Sequence, residues 1–161
     1  MAKQRSNFFK IPVYKGAGIY AIMNREKMSV YIGQTTDINA RAKQHDEQLT
    51  SKTHVNKALQ QDADNGTKLN FIVLQRLPED TKENELKLLE KLFMLDFVNS
   101  GFVLYNQTMN TRENLMVNII LEISKGYHIS EIISDAYMLE YGKHYCYDIE
   151  VYKNRKAKRK N

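Results

Sequence analysis

Two tyrosines, an arginine and a glutamate could share one piece of chemistry in this chain. Tyr20 closes the string Gly18-Ile19-Tyr20, Tyr31 opens the string Tyr31-Ile32-Gly33, Arg41 follows eight residues past Gly33, and Glu90 lies farther downstream. A phenol can orient or deprotonate a water, a guanidinium can bind a phosphate and offset charge in its transition state, and a carboxylate can ligate a divalent cation. Together these are the parts needed for in-line attack on a phosphodiester. A phenol ionises at about pH 10, so a tyrosine base at neutral pH needs a cation beside it.

Positioning them requires a hairpin and two helices. The apolar runs Gly18 to Met23 and Val30 to Thr35 flank a polar stretch, Asn24 to Ser29, and read as two antiparallel strands. A turn centred on Arg25-Glu26 would pair Tyr20 with Tyr31 and Gly18 with Gly33, placing both phenols on one face with open backbone at the glycines. Asp37 is a helix N-cap, and Arg41 and His45 then share one helical face. A second helix is expected over Val55 to Ala63 and a third strand over Leu69 to Leu77, ended by Pro78. Asp80 and Glu83 have capping-box spacing ahead of a stripe of Leu86, Leu89, Phe93 and Phe97. Glu90 falls within that stripe, where an acid is costly unless it is paired or binds a cation. Before the hairpin, residues 1–17 read as a leader, with Ile11, Val13 and Tyr14 as an edge segment broken by Pro12. Asn110 and Glu113 repeat the capping-box spacing ahead of Leu115, Ile119, Ile120 and Ile123. A further helix, about Ser130 to Tyr141, follows, and the segment Ile123 to Ile132 could be the turn of a DNA-reading helix-turn-helix or of any αα-hairpin.

This ordered set resembles the GIY-YIG nuclease family over approximately residues 16–110. The resemblance implies an α+β fold, a small antiparallel three-stranded sheet flanked by helices. A helical extension and basic tail follow, giving a catalytic domain over 1–110 and an appendage over 111–161. It implies Tyr20 as general base or water holder, Tyr31 as its hydrogen-bonding neighbour, Arg41 on the scissile phosphate, and Glu90 as ligand of one cation, Mg²⁺ or Mn²⁺. His45, His54 and Asn106 sit where the homing and mobile-element branch carries histidines and an asparagine. This adds His45 and Asn106 to the catalytic candidates, and His54 and Gly33 to the substrate-binding ones. Lys27 and Lys43 are candidate helpers, whereas His128 and His144 have no partner at metal-ligand spacing. The implied activity is a metal-dependent DNA endonuclease. Alternatives are a DNA-binding protein that kept the scaffold without catalysis, and a nicking subunit of a repair or recombination complex. One active site per chain would cut both strands by two successive nicks or as a homodimer on DNA.

Composition fits this reading. The 161 residues are 42% hydrophobic and 27% charged, enough for a core of ordinary size. The net charge of +5 is concentrated at one end: Lys153, Arg155, Lys156, Lys158, Arg159 and Lys160 have no acid among them. Subtracting those six from 24 basic residues leaves 18 against 19 acids in residues 1–152. Such a cluster suits phosphate backbones, or merely a solvated terminus. A single cysteine, Cys146, excludes an internal disulfide and a cysteine-based zinc site. With no apolar run long enough to span a membrane and no secretory leader, the expected compartment is the cytoplasm, at the nucleoid in a bacterial or phage setting.

Overall fold

A computed structural model describes residues 8–106 and 112–124. Strands β1 (Ala17–Asn24) and β2 (Ser29–Thr35) are followed by helices α1 (Ile38–Thr50) and α2 (Lys57–Asp64). Strand β3 (Asn70–Leu77), helix α3 (Glu83–Asn99), strand β4 (Val103–Leu104) and helix α4 (Arg112–Ser124) complete the order. The sheet runs β3-β1-β2-β4. Strand β1 is antiparallel to both β2 and β3, while β4 runs parallel to β2. The α+β expectation therefore holds, with a mixed four-stranded sheet in place of three antiparallel strands.

Alternation along β1 sends side chains to two different cores. Ala17, Ile19, Ala21 and Met23 join Leu86, Leu89, Phe93 and Phe97 of α3 and Leu115 of α4. Tyr20 and Ile22 join Ile38 and Leu49 of α1 and Leu59 of α2. Covered on both faces, β1 is buried at every position.

The hairpin register differs from expectation by two residues: Tyr20 pairs with Gly33, Ile22 with Tyr31, and Gly18 with Thr35. A two-residue turn at Arg25-Glu26 would force positive φ on residues that carry a Cβ. The chain instead turns through residues 25–28, with Met28 N donating to Arg25 O at 3.3 Å, Lys27 N donating to Asn24 Oδ1 at 3.2 Å, and only Met28 left-handed, at φ 51°. Because the pleat repeats every two residues, this shift keeps both phenols on one face, now as diagonal neighbours.

Asp37 caps α1 as expected, accepting from Ala40 N at 3.0 Å. The capping box at Asp80 and Glu83 does not form: Lys82 occupies the N-cap without a side-chain bond. Thr81 is turned back onto Pro78 O through its N–H, at 3.1 Å, and its hydroxyl, at 2.7 Å, so the helix starts at Glu83. Glu83 and Glu85 favour the helix dipole there, and Glu83 pairs with Lys87 at 3.1 Å. Helix α2 starts at Lys57, capped by Asn56. The segment bearing Ile11, Val13 and Tyr14 is not a strand; it lies over the start of α1, with Asn39 N donating to Tyr14 O at 2.9 Å and Asn39 Nδ2 to Pro12 O at 2.7 Å. On α4, Leu115 and Ile119 are buried, whereas Ile120, expected on the same stripe, is exposed. Residues 125–132 of the helix-turn-helix segment, the helix near 130–141, Asn110, His128, His144, Cys146 and the basic tail lie outside the described residues. Among the described residues, no helix is long and apolar enough to cross a membrane.

Candidate active site

Tyr20 is fully buried on the α1 and α2 side, its ring stacked on Phe71 at 4.9 Å between centroids. The ring crosses the position opposite it on β2, and a Cβ on Gly33 would collide with the phenol. A Cβ on Gly18 would likewise strike the main-chain oxygen of Gln75. The space at each glycine is therefore filled by the protein itself, which corrects the expectation of open backbone. Tyr31 lies 6.4 Å from Tyr20 between ring centroids and is partly exposed.

Helix α1 supplies Arg41 and, one turn on, His45. The Tyr20 hydroxyl and His45 Nε2 are 2.7 Å apart, and His45 Nδ1 and His54 Nε2 are 2.8 Å apart. His54 stands before α2, where its Nδ1 accepts from the backbone N–H of Asn56 at 3.0 Å. Its own N–H is bound by Gln60 Oε1 at 3.1 Å, and Gln60 Nε2 bonds Leu49 O at 3.1 Å, tying this loop to the end of α1. His45 and His54 are 5% and 3% exposed, so both rings are enclosed, and both ring nitrogens of His54 are engaged within the protein. The Arg41 guanidinium lies close enough to the Tyr20 phenol to favour its charged form.

Glu90 arrives from the opposite layer. Among the described residues, strand β4 covers β2 at Ser29 and Val30, and Asn106 extends the ladder by one step, its Oδ1 accepting from Ile32 N at 3.0 Å and its Nδ2 donating to Ile32 O at 2.8 Å. Beyond that step the Gln34 N–H on the same edge favours the charged form of the Glu90 carboxylate. Glu90, Arg41, Tyr20 and Tyr31 thus lie within electrostatic reach of one another around the end of β2 beyond Asn106. Asn106 does not join them, because both ends of its amide are occupied by Ile32.

Burial dominates the electrostatics. It raises the Tyr20 phenol well above the ordinary tyrosine range, against the pull of Arg41, and raises Tyr31 too, helped by Glu90. The field of Arg41 expected to lower the Tyr20 phenol is present but is outweighed. Burial also pushes Glu90 up to about 7, against Lys91, the Gln34 N–H and Arg41. It pushes His45 down to about 3, with His54 and Arg41 adding to the effect, and lowers His54. At neutral pH both imidazoles and both phenols are therefore uncharged, and Arg41 is the fixed cation.

Of the other candidates, Lys27 pairs with Asp62 at 2.6 Å in a cluster where Tyr105 donates to Asp62 at 2.5 Å, and Asn24 bonds both Asp62 and the Tyr105 hydroxyl. That cluster binds the hairpin turn to α2 and to the strand end. Lys43 points to solvent, and Lys153, Arg155, Lys156, Lys158, Arg159 and Lys160 lie outside the described residues. Sequence reasoning missed Asn56, Gln60 and Phe71, which position the histidines and Tyr20. Asn56 was legible only as a helix-capping residue type. Among the described residues, no group of three or more His, Cys, Asp and Glu side chains could hold a metal ion. A single carboxylate does fit Mg²⁺, which keeps most of its waters and takes one or two carboxylates together with substrate phosphates.

An α+β domain whose two helical layers meet at one sheet edge, bringing phenols, a guanidinium and a carboxyl together, has the parts of a phosphodiester-cleaving hydrolase. Residues 16–94 match the GIY-YIG catalytic domain, a span that includes Tyr20, Tyr31, Arg41, His45, His54 and Glu90 and stops short of Asn106. The match points to a nuclease. No curated protein and no solved structure matches the chain.

Proposed function

We propose that this chain is a divalent-metal-dependent DNA endonuclease, nearest to the homing and mobile-element branch of its family. The observation that carries the reading is the convergence of Arg41 and Glu90, from opposite layers, on the two phenols beside β2. Contact between His45, His54 and Tyr20 supports the branch.

In this mechanism Arg41 binds the scissile phosphate and offsets charge as the equatorial oxygens become more negative. Glu90 would hold Mg²⁺, which when bound supplies Lewis-acid stabilisation to the phosphate oxygens. Tyr20 orients the attacking water, and because burial keeps the phenol protonated in the free protein, it takes the water's proton only after passing its own to solvent on the Tyr31 side. Tyr31, its ring 6.4 Å from that of Tyr20, lies on the more exposed side, next to incoming substrate. The basic tail adds affinity for the phosphate backbone. Supercoiled plasmid incubated with the purified chain should be nicked or linearised with Mg²⁺ and remain intact in chelator. Intact plasmid under both conditions would reject catalysis and leave a DNA-binding protein.

A further inference from the structure

The hydrogen bonds around Tyr20 have a direction. A backbone N–H can only donate, so His54 Nδ1, 3.0 Å from Asn56 N, carries no proton. A neutral imidazole then carries its proton on Nε2, which faces His45 Nδ1 at 2.8 Å. That nitrogen must accept, so the His45 proton also sits on Nε2 and faces the Tyr20 oxygen at 2.7 Å. An imidazolium is not accommodated at either ring, because it would set a donor against a donor. We propose that the Asn56 amide fixes both histidines in the Nε2-protonated form, so that His45 donates a hydrogen bond to the Tyr20 oxygen and does not take the phenol's proton.

His45 and His54 are then positioning residues. His45 then sets a donor on the Tyr20 oxygen, and the charge of Arg41 acts in the same sense, so both favour the phenolate against the burial that opposes it. The phenol's own hydrogen is then free to turn away from His45, toward the side of the Tyr31 ring 6.4 Å away. This assignment differs from the usual pairing of a nucleophile or base with a histidine that removes its proton. It also gives His54 a function without substrate contact, in keeping with its enclosure.

The inference deepens the nuclease reading, and only its kinetic arm rests on that reading. In the full chain labelled with ¹⁵N-histidine and assigned through the backbone, both rings should show protonated Nε2 and unprotonated Nδ1 at neutral pH. A proton on Nδ1 of either ring would overturn the proposal. Cleavage supplies the second arm: His45→Leu should lose about 10- to 100-fold, as expected for a hydrogen bond to a charged group. His45→Gln, whose amide can donate from nearly the same place but cannot act as a base, should recover most of that loss. Equal inactivity of the two folded variants would overturn the donor role while leaving the nuclease reading intact. If the wild-type chain cleaves nothing, the nuclease reading falls and the ring-nitrogen measurement still decides the tautomers.

Discussion

The two faces of the sheet are built from the same strands but carry different kinds of core. Toward α3 and α4 the buried side chains are mostly apolar, from Ile19 and Ile32 to Phe93 and Phe97, with Asp96 of α3 buried too. Toward α1 and α2 the core includes Tyr20, and beside it a buried chain of polar contacts runs through His45 and His54 to Asn56. Close packing on the first face can hold the hairpin, so the second face can bury polar groups whose every donor needs a partner. Glu90 breaks the division: it grows from the helix that packs the apolar face but reaches the strand edge where the two faces meet.

The largest effects should come from breaking the polar side. Arg41→Ala and Glu90→Gln should each lower plasmid cleavage about 100-fold or more while leaving the far-UV circular dichroism unchanged. Arg41→Ala should also weaken DNA binding in gel shifts, because a guanidinium attracts phosphate before any reaction occurs. Near-normal cleavage by folded Glu90→Gln at low Mg²⁺ would remove Glu90 from the site.

The apolar side should respond in stability instead. Phe93→Ala should cost about 3 to 5 kcal/mol in urea unfolding, since a fully enclosed ring is replaced by a cavity. Its activity, measured well below the unfolding midpoint, should change less than that of Arg41→Ala. Comparable activity losses at equal folded fraction would erase the distinction between the faces.

Acid should reveal the cost of the histidine pair. His45 has a depressed pKa, so it contributes stability that is present above 6.5, its ordinary value, and is lost as pH falls through about 3. The groups facing it are His54, Arg41, Tyr20 and Tyr31. Unfolding free energies of wild type and His45→Gln should therefore converge or cross between pH 6.5 and 3, by a few kcal/mol. A constant difference across that range would show that burial does not suppress protonation of this ring.

Gly33→Ala tests the close approach at the hairpin. The added methyl strikes the Tyr20 ring, so the change should cost about 1 to 3 kcal/mol in stability and reduce cleavage by displacing the phenol. The smallest effect on chemistry should come from deleting Lys153–Asn161. If about five of the six basic residues reach phosphates, the slope of log affinity against log salt should flatten by about four to five units. Single-turnover cleavage at saturating protein should be nearly unchanged. An unaltered slope would make the tail a solubility segment.

Much of this arrangement was legible in the sequence where the signal was local. Asp37 as a cap, Arg41 and His45 one turn apart, and Glu90 as an acid on an apolar stripe all follow from spacing within one helix. The hairpin register was misread because turn length depended on the Asn24 side chain, whose partners Asp62 and Tyr105 are distant in sequence. Strand β4 has only two residues and no alternation to detect, and the Asn106 amide that prolongs its pairing looks like any other polar residue. The direction of the histidine chain depends on a single backbone amide, at Asn56, which no residue type encodes.

The central claim is that the polar face around Tyr20 hydrolyses phosphodiesters, and Tyr20→Phe tests it most directly. The substitution keeps the ring and its stacking on Phe71 while removing the hydroxyl that meets His45. Single-turnover cleavage of supercoiled plasmid with saturating Mg²⁺ should fall about 100-fold or more in the folded variant, with DNA affinity little changed. Wild-type cleavage rates from Tyr20→Phe would contradict the account.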